Sequence, residues 1–305
     1  MKIECTIKSL TDYVSHITKL KPRPFEGNDA SLIRERIVFR GLSRIDYELV
    51  PSLGRRPSGE CMNSLTFVES DLISEAMQKF PGIYNNDDLP VTKLAKLQHF
   101  GIPTRMLDVT TNALVALYFA CNKHPDVDGE IIVFSMVPVP AINSTANIIA
   151  DTYRLTHNAI TPLKTYYYRG VKQDYAVTLQ YPGWEKIAKA SLDHFRKMID
   201  RPLLVGAAES STRQKNQQGM YILFPDKLSR SIFGKGLDLS GGLVELSKKD
   251  KTVMRRYIVP AQQKAAILNQ LKTLGISEEF LFADNVDTVF KAVAANQSSR
   301  YKRSE

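Results

Sequence analysis

The tripeptide Phe39-Arg40-Gly41 closes the apolar run in "RIVFRGL". An arginine at the end of a rigid strand presents a planar fork of donors that matches a phosphate or a carboxylate. A glycine beside it leaves the backbone open to close approach by a ligand. The plain alternative is a strand-end arginine paired with a carboxylate such as Asp46 or Asp108. A second polar group stands in "QHFGIPTRMLD", where His99, Thr104, Arg105 and Asp108 fall between two strongly apolar stretches. Buried there, they must satisfy one another or a ligand. Arg105 and Asp108 lie on opposite faces of a strict strand, so they do not pair by default.

Other residues carry weaker signals. Tyr118 and Phe119 read as core, or as a flat wall for a ring. Gln217 and Gln218 can hydrogen-bond a ligand hydroxyl but cannot act as bases. Tyr168-Arg169-Gly170 closes a run of tyrosines that can stack on unpaired bases or cover the core. Arg255 and Arg256 end the basic stretch "SKKDKTVMRR", which reads as a phosphate-contacting surface or as a solvated face.

Composition narrows the function classes. The net charge is +9, which favours anionic partners, nucleic acid above all. Cys5, Cys61 and Cys121 are far apart and odd in number, so they predict neither a disulfide framework nor a metal knuckle. The histidines (His16, His99, His124, His157 and His194) show no ligand spacing, and no metal is expected. No apolar run approaches the roughly 20 residues of a membrane span. The start of the chain has no signal-peptide pattern, so no membrane partner and a cytoplasmic location are expected.

The elements that must position these residues follow from periodicity. "SLTDYVSHITKL" predicts a helix capped by Ser9 or Thr11. "ERIVFRG" predicts a short strand. "NSLTFVESDLISEAMQKF" and "PVTKLAKLQHFG" predict helices, the second opened by Pro90 and stopped by Gly101. "TRMLDV" is extended, "NALVALYFACN" is a buried helix, and "GEIIVFSMV" is a central strand. Residues 141–183 are poorly periodic and read as an insertion or lid. Beyond them "WEKIAKASLDHFRKMI" predicts one amphipathic helix. "PLLVGA" and "GMYILFP" predict strands around a polar segment, "AESSTRQKNQQ". "RRYIVP", "AQQKAAILNQLKTLG" and "VDTVFKAVAAN" predict a strand and two helices. The order implies an α+β fold, one domain with an N-terminal helical portion over about 1–30 and a basic tail at 296–305.

Several blocks resemble the FRG-domain family. They are "VFRG", "YELVPSLGR", "LAKLQHFGIPTRMLDVTTNALVALYFAC", "RQKNQQGMYILF" and "YIVPAQQKAAILNQLKTLGISEEFLFAD". The resemblance covers residues 30 to 295 with 141–200 unmatched, so the domain is expected to span 1–295. It implies a role as a bacterial toxin or defence effector, with a neutralising antitoxin as a partner. A more distant resemblance to ADP-ribosyltransferases implies a mixed sheet core with surrounding helices and NAD as a substrate. On that resemblance Arg40 clamps the diphosphate or nicotinamide ribose, between Phe39 and Gly41. Thr104, Arg105, Thr110 and Tyr118 join the NAD site, and His99 meets a ribose hydroxyl or acts as acid or base. Asp108 orients an arginine. Gln218 stands where those enzymes carry a glutamate. The chain is then a transferase using another carboxylate (Asp108 or Glu209), one acting on a strong nucleophile, an NAD glycohydrolase, or a non-catalytic binder. The basic surface suggests RNA or a nucleic-acid-bound protein as acceptor.

Overall fold

The computed structural model describes residues 4–23, 34–55, 65–79, 81–83, 88–156, 160–174, 184–206, 211–232 and 234–283. Glu209, Cys61, His157, the last predicted helix and the basic tail lie outside them.

Eight strands form one mixed sheet in the order β1-β11-β4-β2-β3-β8-β7-β5. They are β1 (Glu4–Thr6), β2 (Arg36–Leu42), β3 (Met106–Thr110), β4 (Gly129–Met136), β5 (Pro138–Pro140), β7 (Leu203–Gly206), β8 (Gly219–Leu223) and β11 (Val253–Val259). A small antiparallel sheet joins β6 (Thr161–Pro162), β10 (Leu237–Leu243) and β9 (Asp226–Arg230). The β-branched run predicted as a central strand is β4, whose side chains are buried throughout. With the helices below, this is the expected α+β class.

Strand alternation sorts the core. Val38 and Leu42 of β2 share one cluster with Leu107 and Val109 of β3, Ile132 and Phe134 of β4, and Met220 and Ile222 of β8. The two halves of the sheet curl around this cluster. On the other face of β2 and β4, Phe39, Ile131 and Val133 pack against helices α1 (Leu10–Ile17), α4 (Ala113–Cys121), α11 (Ala261–Thr273) and α12 (Glu278–Leu281). Helices α2 (Glu69–Lys79), α3 (Pro90–His99) and α5 (Ser144–Ala150) cover β3, β7 and β8.

The local sequence explains several boundaries. Ser9 caps α1 by accepting from Asp12 N at 3.1 Å, one of the two predicted caps. Asn112 caps α4, accepting from Leu114 N at 3.0 Å and Val115 N at 3.4 Å. The helix predicted over 184–199 is two pieces, α8 (Trp184–Ala188) and α9 (Leu192–Met198). Ser191 divides them by capping α9, so a residue expected to continue a helix starts a new one. Part of the polar segment before β8 folds as α10 (Thr212–Gln217), capped by Ser211. The segment read as an insertion or lid supplies core instead. It holds α5, α6 (Thr152–Thr156) and α7 (Leu163–Thr165), followed by a wide-turned helical stretch, Tyr166–Asp174. Ile148, Ile149, Tyr166 and Tyr167 are buried there.

Gly41 answers to packing rather than to a ligand. A Cβ at Gly41 would stand 2.0 Å from Ala116 O and 2.8 Å from Ala120 N. A Cβ at Gly129, on the neighbouring strand, would stand 2.3 Å from Ala120 O. Helix α4 therefore lies directly on a glycine pair of β2 and β4, with Ala116 and Ala120 against it. This close approach sets where α4 ends and where the cleft beside it begins.

Candidate functional site

The sheet is nearly broken between β2 and β3. Every residue of β2 pairs with β4, but β2 meets β3 only where Phe39 faces Thr110. Past that contact the strands diverge and a cavity of about 1410 Å³ opens between them. Arg40 sits in the opening. Its side chain is 19% exposed, and Nη1 donates to the Asp108 carbonyl oxygen at 2.7 Å. The Asp108 carboxylate is farther, at 3.8 Å, and itself 61% exposed. Arg40 Nε is buried and has no partner among the described residues. Burial lowers the Arg40 pKa; Asp108 opposes that shift and Arg55, a like charge, adds to it. The cavity thus holds a guanidinium that is desolvated, incompletely paired and next to a second one.

Asp108 is steadied from the other side. Its Oδ1 accepts from Gln98 Nε2 at 2.7 Å, and Gln98 Oε1 accepts from the Thr104 hydroxyl. Arg55 lines the cavity and donates from Nε to Val50 O at 3.2 Å. Phe119, Phe282, Gln217 and Glu278 also line it. Arg213 lies over the Phe282 ring at 4.8 Å, and Phe119 meets the same ring edge-on at 6.1 Å. At another part of the cavity Tyr47 and His124 pack edge to face, with centroids 5.7 Å apart. Arg44 lies over Tyr47 at 5.7 Å and is paired with Asp46.

Of the residues singled out in the sequence, Phe39, Arg40, Gly41, His99, Asp108 and Thr110 line this cavity together. The Thr110 hydroxyl is occupied: it donates to Gln217 O at 2.6 Å and accepts from Asn112 N at 2.9 Å. It locks the β3–α4 turn onto α10. Thr104 is fully buried, its hydroxyl shared between Gln98 and Met106 N, so it does not face the cavity. Arg105 is also displaced from the expected site. It is 1% exposed and held by Glu69 and Asp226, with Nε donating to Glu69 Oε1 at 2.9 Å and Nη1 to Asp226 Oδ2 at 2.7 Å. Burial alone would weaken the cation, but Asp226 and Glu69 more than offset it and the Arg105 pKa is raised. Burial pushes the Glu69 carboxyl up, against the pull of Arg105.

Tyr118 points into the core, and Phe119 takes the wall position. Burial, with Glu278 adding to it, pushes the Tyr118 phenol up to about 12. Gln218 does not line the cavity. It ends α10 in a left-handed conformation, φ 46°, and its carbonyl accepts from Thr111 N at 3.1 Å. Gln217 lines the cavity instead, with Nε2 donating to Leu281 O at 3.1 Å.

The proposed nucleic-acid residues lie elsewhere. Tyr168 is 42% exposed with Lys172 over its ring at 5.0 Å, and Arg169 is exposed, but Tyr167 is buried and stacked on Phe195. Arg256 is taken up by Glu130 and by Glu4, at 2.6 Å and 2.9 Å. Arg255 donates to Met254 O. No group of His, Cys, Asp and Glu able to hold a metal occurs among the described residues.

Sequence reasoning missed Arg55, Arg213, Glu278, Phe282 and His124. "PSLGR" and "EEFLF" fall within the family-resembling blocks but were given no site role, since only the fold brings them to this cavity.

Residues 35–129 match the family model of the FRG domain. The chain carries an FRG domain. The matched stretch runs from β2 through α4 to the first residue of β4. It therefore holds most of the cavity wall, with Arg40, Arg55, Asp108, Thr110 and Phe119 among it. Arg213, Gln217, Glu278 and Phe282 close the FRG-domain cavity from later in the chain. No curated protein and no solved structure matches the chain. No described helix is long and apolar enough to cross a membrane.

Proposed function

We propose that the cavity binds a nucleotide through its phosphates, and that the FRG domain is an NAD-dependent mono-ADP-ribosyltransferase. The observation that carries this reading is Arg40. Its Nε is buried without a partner, and Arg55 adds like charge where Asp108 compensates incompletely. A bound anion would satisfy both guanidiniums, and a diphosphate suits their planar forks. Phe119 and Phe282 in one part of the cavity, and Tyr47 with His124 in another, offer ring surfaces. A dinucleotide has a ring system at each end and a diphosphate between. The cavity exceeds the roughly 300–1,000 Å³ of most small-ligand sites, which suits a ligand of that size.

NAD is the substrate in this reading. The ADP-ribose passes to a protein or nucleic-acid acceptor, and nicotinamide leaves. Activity as a toxin or defence effector follows from the family resemblance. A second reading, a non-catalytic nucleotide binder, is favoured by Gln218, which stands where a glutamate is expected and whose side-chain Oε1 lies 3.5 Å from the Thr111 hydroxyl, outside the cavity lining. Glu278 and Glu48 keep the first reading open, since both line the cavity and make no ion pair among the described residues.

Incubation of the full chain with labelled NAD and cell lysate separates the readings. Transfer of label by wild type and its loss in Arg40→Ala support the transferase. Thermal stabilisation by NAD with neither label transfer nor nicotinamide release supports the binder. Neither stabilisation nor turnover discards both.

A further inference from the structure

The cavity is lined by two histidines, and they are held very differently. His99 touches Phe100 ring to ring at 5.0 Å, and no hydrogen bond reaches its ring among the described residues. His124 is fixed at several points. Its Nδ1 lies 3.0 Å from the Ser43 hydroxyl, and its Nε2 lies 3.5 Å from the Tyr47 hydroxyl. Its backbone is left-handed, φ 50°, a conformation that a residue with a Cβ keeps only when its surroundings impose it.

Lys264 of α11 holds the loop that carries it. This side chain is 1% exposed. Its ammonium donates to Ser43 O at 2.8 Å, His124 O at 2.9 Å and Lys123 O at 3.2 Å. One buried cation thus ties the end of β2 to the loop after α4, and sets Ser43 against His124. A lysine buried against carbonyls alone is a costly tie. Backbone bonds fasten the same loop, Val127 N donating to His124 O at 3.2 Å and Ile45 N to Asp128 O at 2.9 Å, so the lysine adds a tie specific to Ser43 and His124.

We propose that His124 is the proton acceptor of the cavity, with Ser43 and Lys264 as its positioning residues. This assignment rests on the reading of the cavity as a reaction site. The imidazole is held as the Nδ1–H tautomer, donating to Ser43 Oγ, so Nε2 carries a lone pair. In the transfer, the oxygen of an acceptor hydroxyl bonds to the ribose C1′ while the C1′–N bond to nicotinamide breaks. Nicotinamide leaves neutral with that electron pair. The hydroxyl proton passes to His124 Nε2 and then to water. A hydroxyl acceptor needs such a base, which Gln217 cannot be.

Long-range proton–nitrogen NMR on the ring-labelled full chain, at a pH where the ring is neutral, reads the tautomer directly. The expected result is an unprotonated Nε2 in wild type and a mixed population in Ser43→Ala. A protonated Nε2 in wild type overturns the assignment. In parallel, His124→Gln is assayed at saturating NAD, so that loss of its ring from the binding surface does not enter the rate. Its single-turnover rate should fall by about 10²–10⁴-fold. Added imidazole should restore part of the rate in His124→Ala, which a merely structural histidine would not permit. Wild-type turnover by His124→Gln also overturns the proposal. Absence of turnover by wild type would instead discard the transferase reading, and with it the need for a proton acceptor.

Discussion

Arg40 and Arg105 are both strongly shielded arginines next to the same strand, β3, and they have opposite surroundings. Arg105 meets two carboxylates, Glu69 and Asp226, and every group around it is satisfied. Arg40 meets one carbonyl, a distant carboxylate and a like charge, and keeps an orphan Nε. Burial raises the stakes of both, but only the count of partners says which one is finished. A finished ion network fastens the fold. Here it ties α2 on one side and β9 on the other to the start of β3. An unfinished one is held in place by the rest of the fold, and its missing partner comes from outside the chain.

Removing the finished cation should do the most damage. Arg105→Ala leaves Glu69 and Asp226 facing each other without a counter-charge in the core. The expected loss is about 3–5 kcal/mol of unfolding free energy, measured by urea titration. A loss below about 1 kcal/mol would mean that Arg105 is no fastener and would remove the contrast with Arg40. Arg40→Ala is the counterpart. Its unfolding free energy should change by about 1 kcal/mol or less, since only the Asp108 carbonyl loses a donor. Its binding of ADP-ribose should weaken by about 1.5–3 kcal/mol, the range for hydrogen bonds to charged groups. Arg40→Lys should recover little, because a single ammonium cannot replace the fork. A variant that unfolds while still binding would reverse the roles given to the two arginines.

That contrast was only half legible in the sequence. The strand ending in Arg40, the buried helix α4 and the all-buried β4 all follow from local apolar patterns, and local patterns carry strand and helix identity well. Arg105 was assigned to the ligand because its partners are remote: Glu69 is 36 residues away and Asp226 is 121. Composition shows a charged residue but not which distant carboxylate meets it. Gly41 was read as space for a ligand for the same reason, since Ala116 and Ala120 sit on a helix whose approach no local signal announces. Tyr118 and Phe119 differ by one helical step, and only the docking of α12 decides which faces the cavity. Lys264 lies in a segment read only as a helix, and nothing local announces that it is buried on the carbonyls of Ser43 and His124.

A smaller effect should come from the neighbour. Arg55→Ala removes the like charge that helps lower the Arg40 pKa, so Arg40 moves back toward its ordinary range. The folded protein should keep or slightly gain stability. ADP-ribose affinity should drop by about 0.5–1 kcal/mol, less than for Arg40, because Arg55 is exposed and solvent screens its charge. The drop should shrink as salt rises. Equal losses for Arg55→Ala and Arg40→Ala, measured by calorimetry in one buffer, would show that the orphaned Nε of Arg40 does not set the anion site.

The smallest effect lies at Glu278 and tests whether the cavity holds a negative charge beside Phe119 and Phe282. The Tyr118 phenol is raised to about 12, by burial first and then by the Glu278 carboxylate. A group raised in the folded state contributes its full stability below its unfolded value, about 10 for tyrosine, and loses it as pH rises through the folded value. Denaturant midpoints should therefore decline above pH about 10, and Tyr118→Phe should flatten part of that decline. Glu278→Gln removes the second cause and leaves burial, so the phenolate absorbance of Tyr118 should rise at a slightly lower pH than in wild type. Stability near neutral pH should be unchanged, because the phenol is protonated in both states there. If the titration does not move, Glu278 is not an ionised carboxylate against this wall. The cavity then has one carboxylate fewer beside Phe119 and Phe282, which suits a binder of anions better than a transferase that must steady a cationic ribose.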